Sequence, residues 1–234
     1  MCSLMILVVL MNSLIITRAK IVRYVFFLLC LSFLSINGFS ETIKTQNVAS
    51  IPTRELQNFN ANSKSVKRLI TMALDLTTRN LGYLYGSAEP GNGGMDCSGT
   101  IYYLLAQFGI KGVPRSSDLI YQWVREKGHF YGVNEYEFSS LEFSHLHPGD
   151  LLFWSGTYET ERKLNASHTM LYLGKNKEGE PLMFGASDGR SYKEKKVYGV
   201  SVFNFQLPVA FSKSKFLGYS CIPQINCVVQ VLIN

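Results

Sequence analysis

The chain has 234 residues, of which 47% are hydrophobic and 17% are charged, and this composition excludes a natively disordered protein. The length fits one domain with accessory segments and leaves little room for two. The formal net charge is +6, and three of these positive charges lie in the first forty residues, which contain no acid. The remaining balance of +3 is too small to indicate a nucleic-acid partner, and we expect none.

The first forty residues have the layout of an export signal. Basic residues stand at the start of an apolar run at 21–36, and small residues that suit cleavage follow at Gly38 and Ser40. We therefore predict that residues 1–40 are a signal peptide that directs the chain to the periplasm or out of the cell. A further apolar stretch upstream indicates that translation begins at or after Met11. The alternative is a retained anchor, which would then be the only part to contact a membrane.

Residues 41–63 are polar, rich in Asn and without a periodic apolar pattern. We therefore predict a linker or a loosely attached arm there. The folded domain is expected over residues 64–224, and residues 225–234 are expected to form a tail.

Three helices are predicted from apolar residues that recur every three to four positions. The first begins behind Ser63 or Ser65, and the second closes at Gly109. The third begins behind Ser116 or Ser117 and ends at a glycine. The three apolar stripes are Val66, Leu69, Ile70 and Ala73, then Ile101, Leu104, Leu105 and Phe108, then Leu119, Ile120, Trp123 and Val124.

Short apolar runs follow the third helix and predict strands. They lie at residues 151–154, 168–174, 181–187, 197–205 and 216–222. The second and third runs flank the turn-forming segment KNKEGE, which predicts a hairpin. Helices followed by strands indicate an α+β fold, in which N-terminal helices pack on a small antiparallel β-sheet.

Three cysteines remain if the leader is removed, namely Cys97, Cys221 and Cys227. In an exported protein an odd count leaves one thiol free when the other two pair. Cys221 and Cys227 are close enough in sequence to close a small loop, so they are disulfide candidates. Two reduced, packed cysteines are the equal alternative. Cys97 is then the odd thiol.

Cys97 stands in the segment GGMDCSG at the mouth of the second predicted helix. The unpaired N–H groups and the dipole of a helix start stabilise a thiolate there. The small residues Gly94, Ser98 and Gly99 leave space beside the sulfur for a substrate carbonyl. A lone cysteine is otherwise a small core residue, but this setting favours a nucleophile.

A thiolate nucleophile works with an imidazole that accepts a proton and later protonates the leaving amine. His168 opens the apolar run HTMLYLG, where a titratable side chain needs a partner, so we predict that it is the base. His129, His145 and His147 lie in turns and loops and are expected to be solvated. No cysteine pair with zinc-like spacing lies beside a histidine cluster, so we expect no metal and no cofactor. Nothing in the sequence indicates an oligomeric state.

Four blocks, LGYLYGSAEPGNGGMDCSGTIYYLLAQFGI, VPRSSDLIYQ, LHPGDLLFW and SHTMLYLG, occur in this order. They resemble the NlpC-type family of papain-like cysteine peptidases, which act on bacterial cell-wall peptides. The resemblance covers residues 66–222 and implies a small papain-like domain with Cys97 as nucleophile and His168 as general base. It implies hydrolysis of an amide next to D-glutamate or diaminopimelate in peptidoglycan or a released muropeptide.

The same resemblance implies roles for residues around the nucleophile. Tyr83 is implied to help hold the oxyanion. The residues implied to shape or contact the substrate are Asp96, Ser98, Arg115, Ser116 and Ser117. A helix N-cap is the simpler interpretation of the PRSS block.

The chain departs from the family where a third polar residue usually orients the imidazole. Gly185 occupies that place. Ser187 shares its strand face and Asp188 follows, so either side chain, or a backbone carbonyl, could substitute. Because a lost orienting group can lower the rate by about four orders of magnitude, reduced activity is expected. The alternatives are a catalytically silent module that binds wall peptides and, less favoured, a lipid acyltransferase on the same scaffold.

Overall fold

The computed structural model of the chain describes residues 47–227. The predicted signal peptide or anchor at 1–40 lies outside the described residues, as do residues 228–234. Within the described part, helices precede strands, and the fold is mixed α+β. The helices are α1 (Lys64–Thr77), α2 (Cys97–Phe108) and α3 (Ser117–Lys127). Over the described range, none of these helices has the length and apolar content of a membrane span.

Capping side chains begin all three helices. Ser63, Asp96 and Ser116 each accept a hydrogen bond from the backbone N–H three residues later. Gly109 ends α2 in the left-handed conformation, at a φ of 107°, which favours glycine. The predicted starts and ends therefore agree with the structure. One member of the predicted apolar stripes differs, because Leu119 of α3 is 49% exposed.

Eight strands are present between residues 82 and 220. They are β1 (Gly82–Tyr83), β2 (Gly94–Met95), β3 (Phe130–Gly132), β4 (Leu151–Ser155), β5 (His168–Lys175), β6 (Pro181–Tyr192), β7 (Lys195–Asn204) and β8 (Lys215–Ser220). Six of them form an antiparallel sheet in the order β3-β8-β4-β5-β6-β7. The predicted hairpin is β5–β6.

The helices cover one face of the sheet. Helix α2 packs on β5 and β6, and α1 packs on β7. Because side chains alternate along a strand, Phe153 and Leu171 point into the core under the helices, while Trp154 and Met170 belong to a second apolar cluster on the other face. By the same alternation the His168 side chain shares the face of Trp154 and Met170, while the backbone N–H of the next residue, Thr169, lies beside Cys97 at the start of α2.

The strands β1 and β2 form a separate parallel pair that positions the segment before α2. Gly82 pairs with Gly94, and Tyr83 pairs with Met95. A Cβ atom at Gly94 would lie 2.6 Å from the carbonyl oxygen of Gly82, so this close pairing requires glycine. The pair brings Tyr83 to the start of α2.

Residues 47–63 are part of the fold, which corrects the predicted linker over residues 41–63. The carbonyl oxygens of Asn47 and Ala49 accept hydrogen bonds from backbone N–H groups of β7, the second at 2.9 Å. Leu56 is buried and forms a bridge to Asn176. Backbone hydrogen bonds to the sheet hold this segment, and such bonds leave no periodic apolar pattern in the sequence.

The domain also extends past its predicted end at residue 224. Cys221 and Cys227 form a disulfide, as expected for this candidate pair. Inside the loop that it closes, Asn226 donates a hydrogen bond of 2.7 Å from Nδ2 to Asp150 Oδ1. Its Oδ1 accepts a bond of 2.7 Å from the N–H of Ile222. Residues 225–227, predicted as tail, are therefore tied to the start of β4.

Candidate active site

Cys97 is the first residue of α2 and is the free cysteine of the described chain. Its side chain is buried. The sulfur lies 3.5 Å from Ser117 Oγ at the start of α3, and the backbone N–H of Thr169 also donates toward it. Because Thr169 follows His168 in β5, the predicted nucleophile and the predicted base lie on adjoining elements.

Burial raises the pKa of the Cys97 thiol above its ordinary value. The hydroxyl of Ser117 and the N–H of Thr169 act in the opposite direction, but the carboxylate of Asp96 adds to the increase. The resting site therefore holds a thiol. The helix start was predicted to stabilise a thiolate, and at this buried position desolvation outweighs the donors around the sulfur.

Asp96 is the centre of a closed polar network. Its Oδ1 accepts hydrogen bonds from the N–H of Gly99, the hydroxyl of Ser98 and Arg115 Nη1. Its Oδ2 accepts from the N–H of Gly86 at 2.8 Å and from Arg115 Nη2 at 3.0 Å. Arg115 Nη1 also donates to Ser98 Oγ at 2.9 Å. The predicted substrate residues Asp96, Ser98 and Arg115 thus bind one another and fix the loop before Cys97.

Ser116 and Ser117 both line the cavity beside Cys97, and each also makes a contact within the protein. Ser116 caps α3 through its hydroxyl, which matches the simpler interpretation. Ser117 is buried against the Cys97 sulfur. Its position is that of a group that modulates the nucleophile.

Tyr83 lies close to the reactive thiol and is half-buried. Burial, together with the charges that Cys97 and Asp188 can carry, raises the pKa of its phenol above the ordinary value. The phenol therefore remains protonated and is a hydrogen-bond donor for an oxyanion. The implied role in holding the oxyanion stays a prediction.

His168 is buried, and its Nε2 has no hydrogen-bond partner among the described residues. Burial is the main reason that the pKa of its imidazole lies well below 6.5, and the positive charge of Arg190 lowers it further. The resting imidazole is therefore neutral. A neutral imidazole can accept a proton, but the low pKa makes it a weak acceptor in the resting site, so the role of general base stays a prediction.

The place expected for a third polar residue is filled by a sulfur atom. A Cβ atom at Gly185 would overlap the Sδ atom of Met170 in the neighbouring strand β5. Ser187 is buried and Asp188 is exposed, and neither hydrogen-bonds to His168. No direct hydrogen bond supports the prediction that one of these two side chains orients the imidazole, and Met170 fills the space beside Gly185.

Two residues beside His168 were missed from the sequence. Trp154 pairs with His168 across β4 and β5, and their ring centroids are 5.8 Å apart in an edge-to-face arrangement. The guanidinium carbon of Arg190 lies 4.6 Å from the Trp154 ring centroid. Ring contacts with Trp154 therefore hold the imidazole in place of a hydrogen bond.

Two cavities meet at this site and share the walls formed by Tyr83, Tyr85 and Tyr158. The first, of about 430 Å³, is named here the Arg115 cavity and is also lined by Asp96, Cys97, Ser98, Arg115 and Ser117. The second, of about 550 Å³, is named the Arg190 cavity and is also lined by His168, Ser187, Asp188 and Arg190. These two adjoining cavities are called the cleft below. Cys97 lines the first and His168 lines the second, and the described residues show no hydrogen bond between Cys97 Sγ and His168.

The remaining histidines lie elsewhere. His129, His145 and His147 are exposed and line a different cavity, of about 530 Å³, beside Asp150 and Cys221. Across residues 47–227, no group of three or more His, Cys, Asp or Glu side chains is arranged to hold a metal ion. The predicted solvated character of the three histidines agrees with their exposure.

Comparison with known protein families gives one match. The model of the NlpC/P60 family matches residues 80–200, more than half of the chain. The matched range contains Tyr83, Cys97, Arg115, His168 and Arg190. A search of curated proteins yields no match.

Proposed function

The chain belongs to the NlpC/P60 family, whose members are typically cysteine peptidases of the cell wall, and on this premise we propose that it is a thiol hydrolase. Its substrate is an amide bond in the stem peptides of peptidoglycan, next to D-glutamate or diaminopimelate. The nucleophile is Cys97 and the general base is His168. The observation that carries this proposal is the position of Cys97 at the start of α2, with the N–H of Thr169 directed at its sulfur.

The first step begins from a neutral pair, because burial raises the pKa of Cys97 and lowers that of His168. As Cys97 Sγ attacks the amide carbon, the thiol proton moves to the imidazole and a sulfur–carbon bond forms. The negative charge develops on the carbonyl oxygen. When the carbon–nitrogen bond breaks, the imidazolium of His168 returns its proton to the leaving amine. Water then hydrolyses the thioester and restores the thiol.

The developing oxyanion has two donors on the protein side. The backbone N–H of Cys97 lies in the first turn of α2, where N–H groups have no intrahelical partner. The phenol of Tyr83 is protonated because its pKa is raised. We also infer a papain-like arrangement, in which the helix that carries the cysteine packs on the strand that carries the histidine.

The absence of an orienting hydrogen bond at His168 is expected to limit the rate. Trp154 restricts the ring by contact, but the described chain offers no acceptor that selects one tautomer. An acceptor of this kind contributes up to about four orders of magnitude in a serine triad. We therefore expect a slow enzyme.

The test is incubation of the full chain with purified peptidoglycan and with isolated muropeptides, followed by separation and mass measurement of the products. We expect new fragments in which one stem-peptide amide has gained one water. Cys97→Ala and His168→Ala should not produce them. His147→Ala removes an exposed imidazole outside the cleft and should retain the parent rate. The absence of new fragments, or equal yields from the parent and Cys97→Ala, would contradict the proposal.

A second candidate is a silent module that binds wall peptides, and the unpartnered Nε2 of His168 favours it. Under this alternative the parent would sediment with insoluble peptidoglycan and release no fragment over long incubation. Cys97→Ala should sediment equally well in both cases. Product formation by the parent decides between the two.

The proposed site of action is outside the cytoplasm, in the periplasm or beyond the cell. The disulfide between Cys221 and Cys227 supports export, because such bonds persist in oxidising compartments. Fractionation of cells that express the full chain is the test. Recovery of the chain in the cytoplasm alone would contradict this proposal.

A further inference from the structure

Arg190 carries a charge that has no direct ion-pair partner in the described chain, although the carboxylate of Asp188 acts on it within the same cavity. It lies in the second half of β6, is partly buried and packs over the ring of Trp154. Its side chain makes no ion pair and no hydrogen bond with any residue from 47 to 227. Arg115, in the adjoining cavity, instead pairs through both terminal nitrogens with Asp96. An arginine removed from water without a carboxylate is unfavourable unless another group pairs with it.

The position of Arg190 suits a partner that arrives with the substrate. The side chain lines the Arg190 cavity together with His168. Its charge acts on His168 and also interacts with Cys97. A group bound to this guanidinium would therefore lie beside the reacting atoms.

The direction of proton transfer identifies which half of the substrate enters this cavity. In the proposed reaction His168 gives its proton to the leaving amine, so the nitrogen must come within reach of the imidazole. The residue that supplies this nitrogen then extends along the His168 side of the cleft. That side is the Arg190 cavity.

We propose that Arg190 binds a free carboxylate on the residue that supplies the scissile amide nitrogen. The proposal rests on the proposed function and adds a specificity for an acidic amine half. A guanidinium presents a planar fork of donors that matches a carboxylate through two parallel hydrogen bonds. Arg115 does not compete for this task, because Asp96 and Ser98 already accept from it.

Binding of the substrate carboxylate by Arg190 would also change the basicity of His168. The positive charge of Arg190 disfavours the imidazolium, and a bound carboxylate offsets that charge. The other ionisable groups facing this space are Asp188 of β6 and three tyrosines, namely Tyr83 of β1, Tyr85 of the loop after β1 and Tyr158 of the loop after β4. Cys97 of α2 also interacts with the guanidinium. A substrate with the carboxylate therefore makes His168 a better proton acceptor at the moment of attack.

The experiment uses two synthetic stem peptides that differ in one group. In one, the residue that supplies the scissile nitrogen carries a free side-chain carboxylate, and in the other this carboxylate is an amide. For the parent we expect kcat/KM to be about tenfold to a hundredfold higher with the free acid. Arg190→Gln should make the two peptides equal, and Arg190→Lys should keep part of the difference. Lys195→Gln, which removes an exposed charge from the same hairpin, should keep all of it.

The pH profile separates a binding role from a structural one. With the parent, the acid limb of kcat should lie at higher pH for the free acid than for the amide, because the bound carboxylate stabilises the imidazolium. Arg190→Gln should remove this separation. Equal kcat/KM for both peptides with the parent would overturn the inference and leave the proposed function intact. Cleavage of neither peptide would instead count against the proposed function.

Discussion

The two halves of the cleft satisfy their polar groups to different degrees. In the Arg115 cavity, Asp96 accepts hydrogen bonds from two backbone N–H groups, one hydroxyl and both terminal nitrogens of Arg115. In the Arg190 cavity, His168 Nε2 and the Arg190 side chain have no hydrogen-bond partner in the described chain. The first half uses its charges to fix the loop before Cys97, whereas the second contains the charge that we propose binds the substrate. We therefore expect substrate recognition where polar groups lack partners.

The largest expected effect comes from neutralising one charge in each half. Asp96→Asn and Arg190→Gln each replace a charged group by an amide. Asp96→Asn removes the counter-ion of Arg115 and places an NH2 group among donors, so we expect a loss of about 3 kcal/mol in the free energy of unfolding. Arg190→Gln loses only the contact with Trp154, and we expect a change below about 1 kcal/mol. Chemical denaturation measures both, and equal losses would remove the contrast.

The second prediction concerns Met170, whose sulfur fills the space beside Gly185, where the family usually has a third polar residue. Gly185→His alone should lower the free energy of unfolding by about 1 to 3 kcal/mol, because the new Cβ atom overlaps Met170. Met170→Gly alone leaves a cavity and should also destabilise. Combined, the two changes should be less harmful than their sum, because the smaller residue at one position makes room for the larger residue at the other.

The double variant also addresses the rate. In the double variant the new imidazole at position 185 is expected to reach the imidazole of His168. The value of kcat/KM should then rise by at least about tenfold over the parent. That gain is a part of what an orienting group contributes. Unchanged kcat/KM at restored stability would mean that Trp154 already positions the ring fully.

The third effect is a pH dependence of the free energy of unfolding that arises from His168 in the Arg190 cavity. The folded pKa of His168 lies well below 6.5, so the folded protein binds fewer protons than the unfolded chain between these values. The stabilisation is complete above pH 6.5 and decreases as pH falls, by at most about 1.4 kcal/mol per unit. Burial is the main cause of the low pKa, Arg190 adds to it, and Tyr83 and Asp188 line the same cavity.

The titration of Asp150 changes the free energy of unfolding in the opposite direction, so its contribution must be separated from that of His168. Burial raises the pKa of its carboxyl to about 6, so its contribution is present at low pH and is lost as pH rises through that value. Denaturation curves of the parent and His168→Gln at a series of pH values on both sides of neutrality isolate the histidine, because both chains keep Asp150. A constant difference between the two chains would contradict the neutral, buried imidazole.

Local signals in the sequence predicted much of this fold. Helix starts at Ser63 and Ser116 and the stop at Gly109 depend on nearby residues, so they were found. Strand β3 was missed, because its residues become a strand only through pairing with β8, which lies far along the chain. The packed segment at 47–63 was missed for the same reason, since β7 supplies its partners.

The residues of the candidate site also fall into two groups, those that local sequence signals identified and those that depend on contacts with distant parts of the chain. Cys97 and His168 lie in recognisable blocks, and the order and spacing of these blocks were enough to name both residues as candidates. Trp154 reaches the imidazole only through the register of β4 and β5. Arg190 lies beyond residue 187, where the predicted strand ended, and β6 continues past it. The role of Gly185 required knowledge of Met170, which comes from the neighbouring strand.

The smallest effect distinguishes two adjacent serines at the edge of the Arg115 cavity. Ser117 contacts the Cys97 sulfur and lowers the pKa of the thiol, whereas Ser116 caps α3 through its hydroxyl. Ser117→Ala should raise that pKa and slow alkylation of Cys97 by iodoacetamide at mildly alkaline pH several-fold, because less thiolate is present. Ser116→Ala should cost about 1 kcal/mol of stability and leave the alkylation rate unchanged. If Ser117→Ala reacts as fast as the parent, the donors that hold the sulfur are the backbone N–H groups alone, and the polar network of this cavity ends at Ser98.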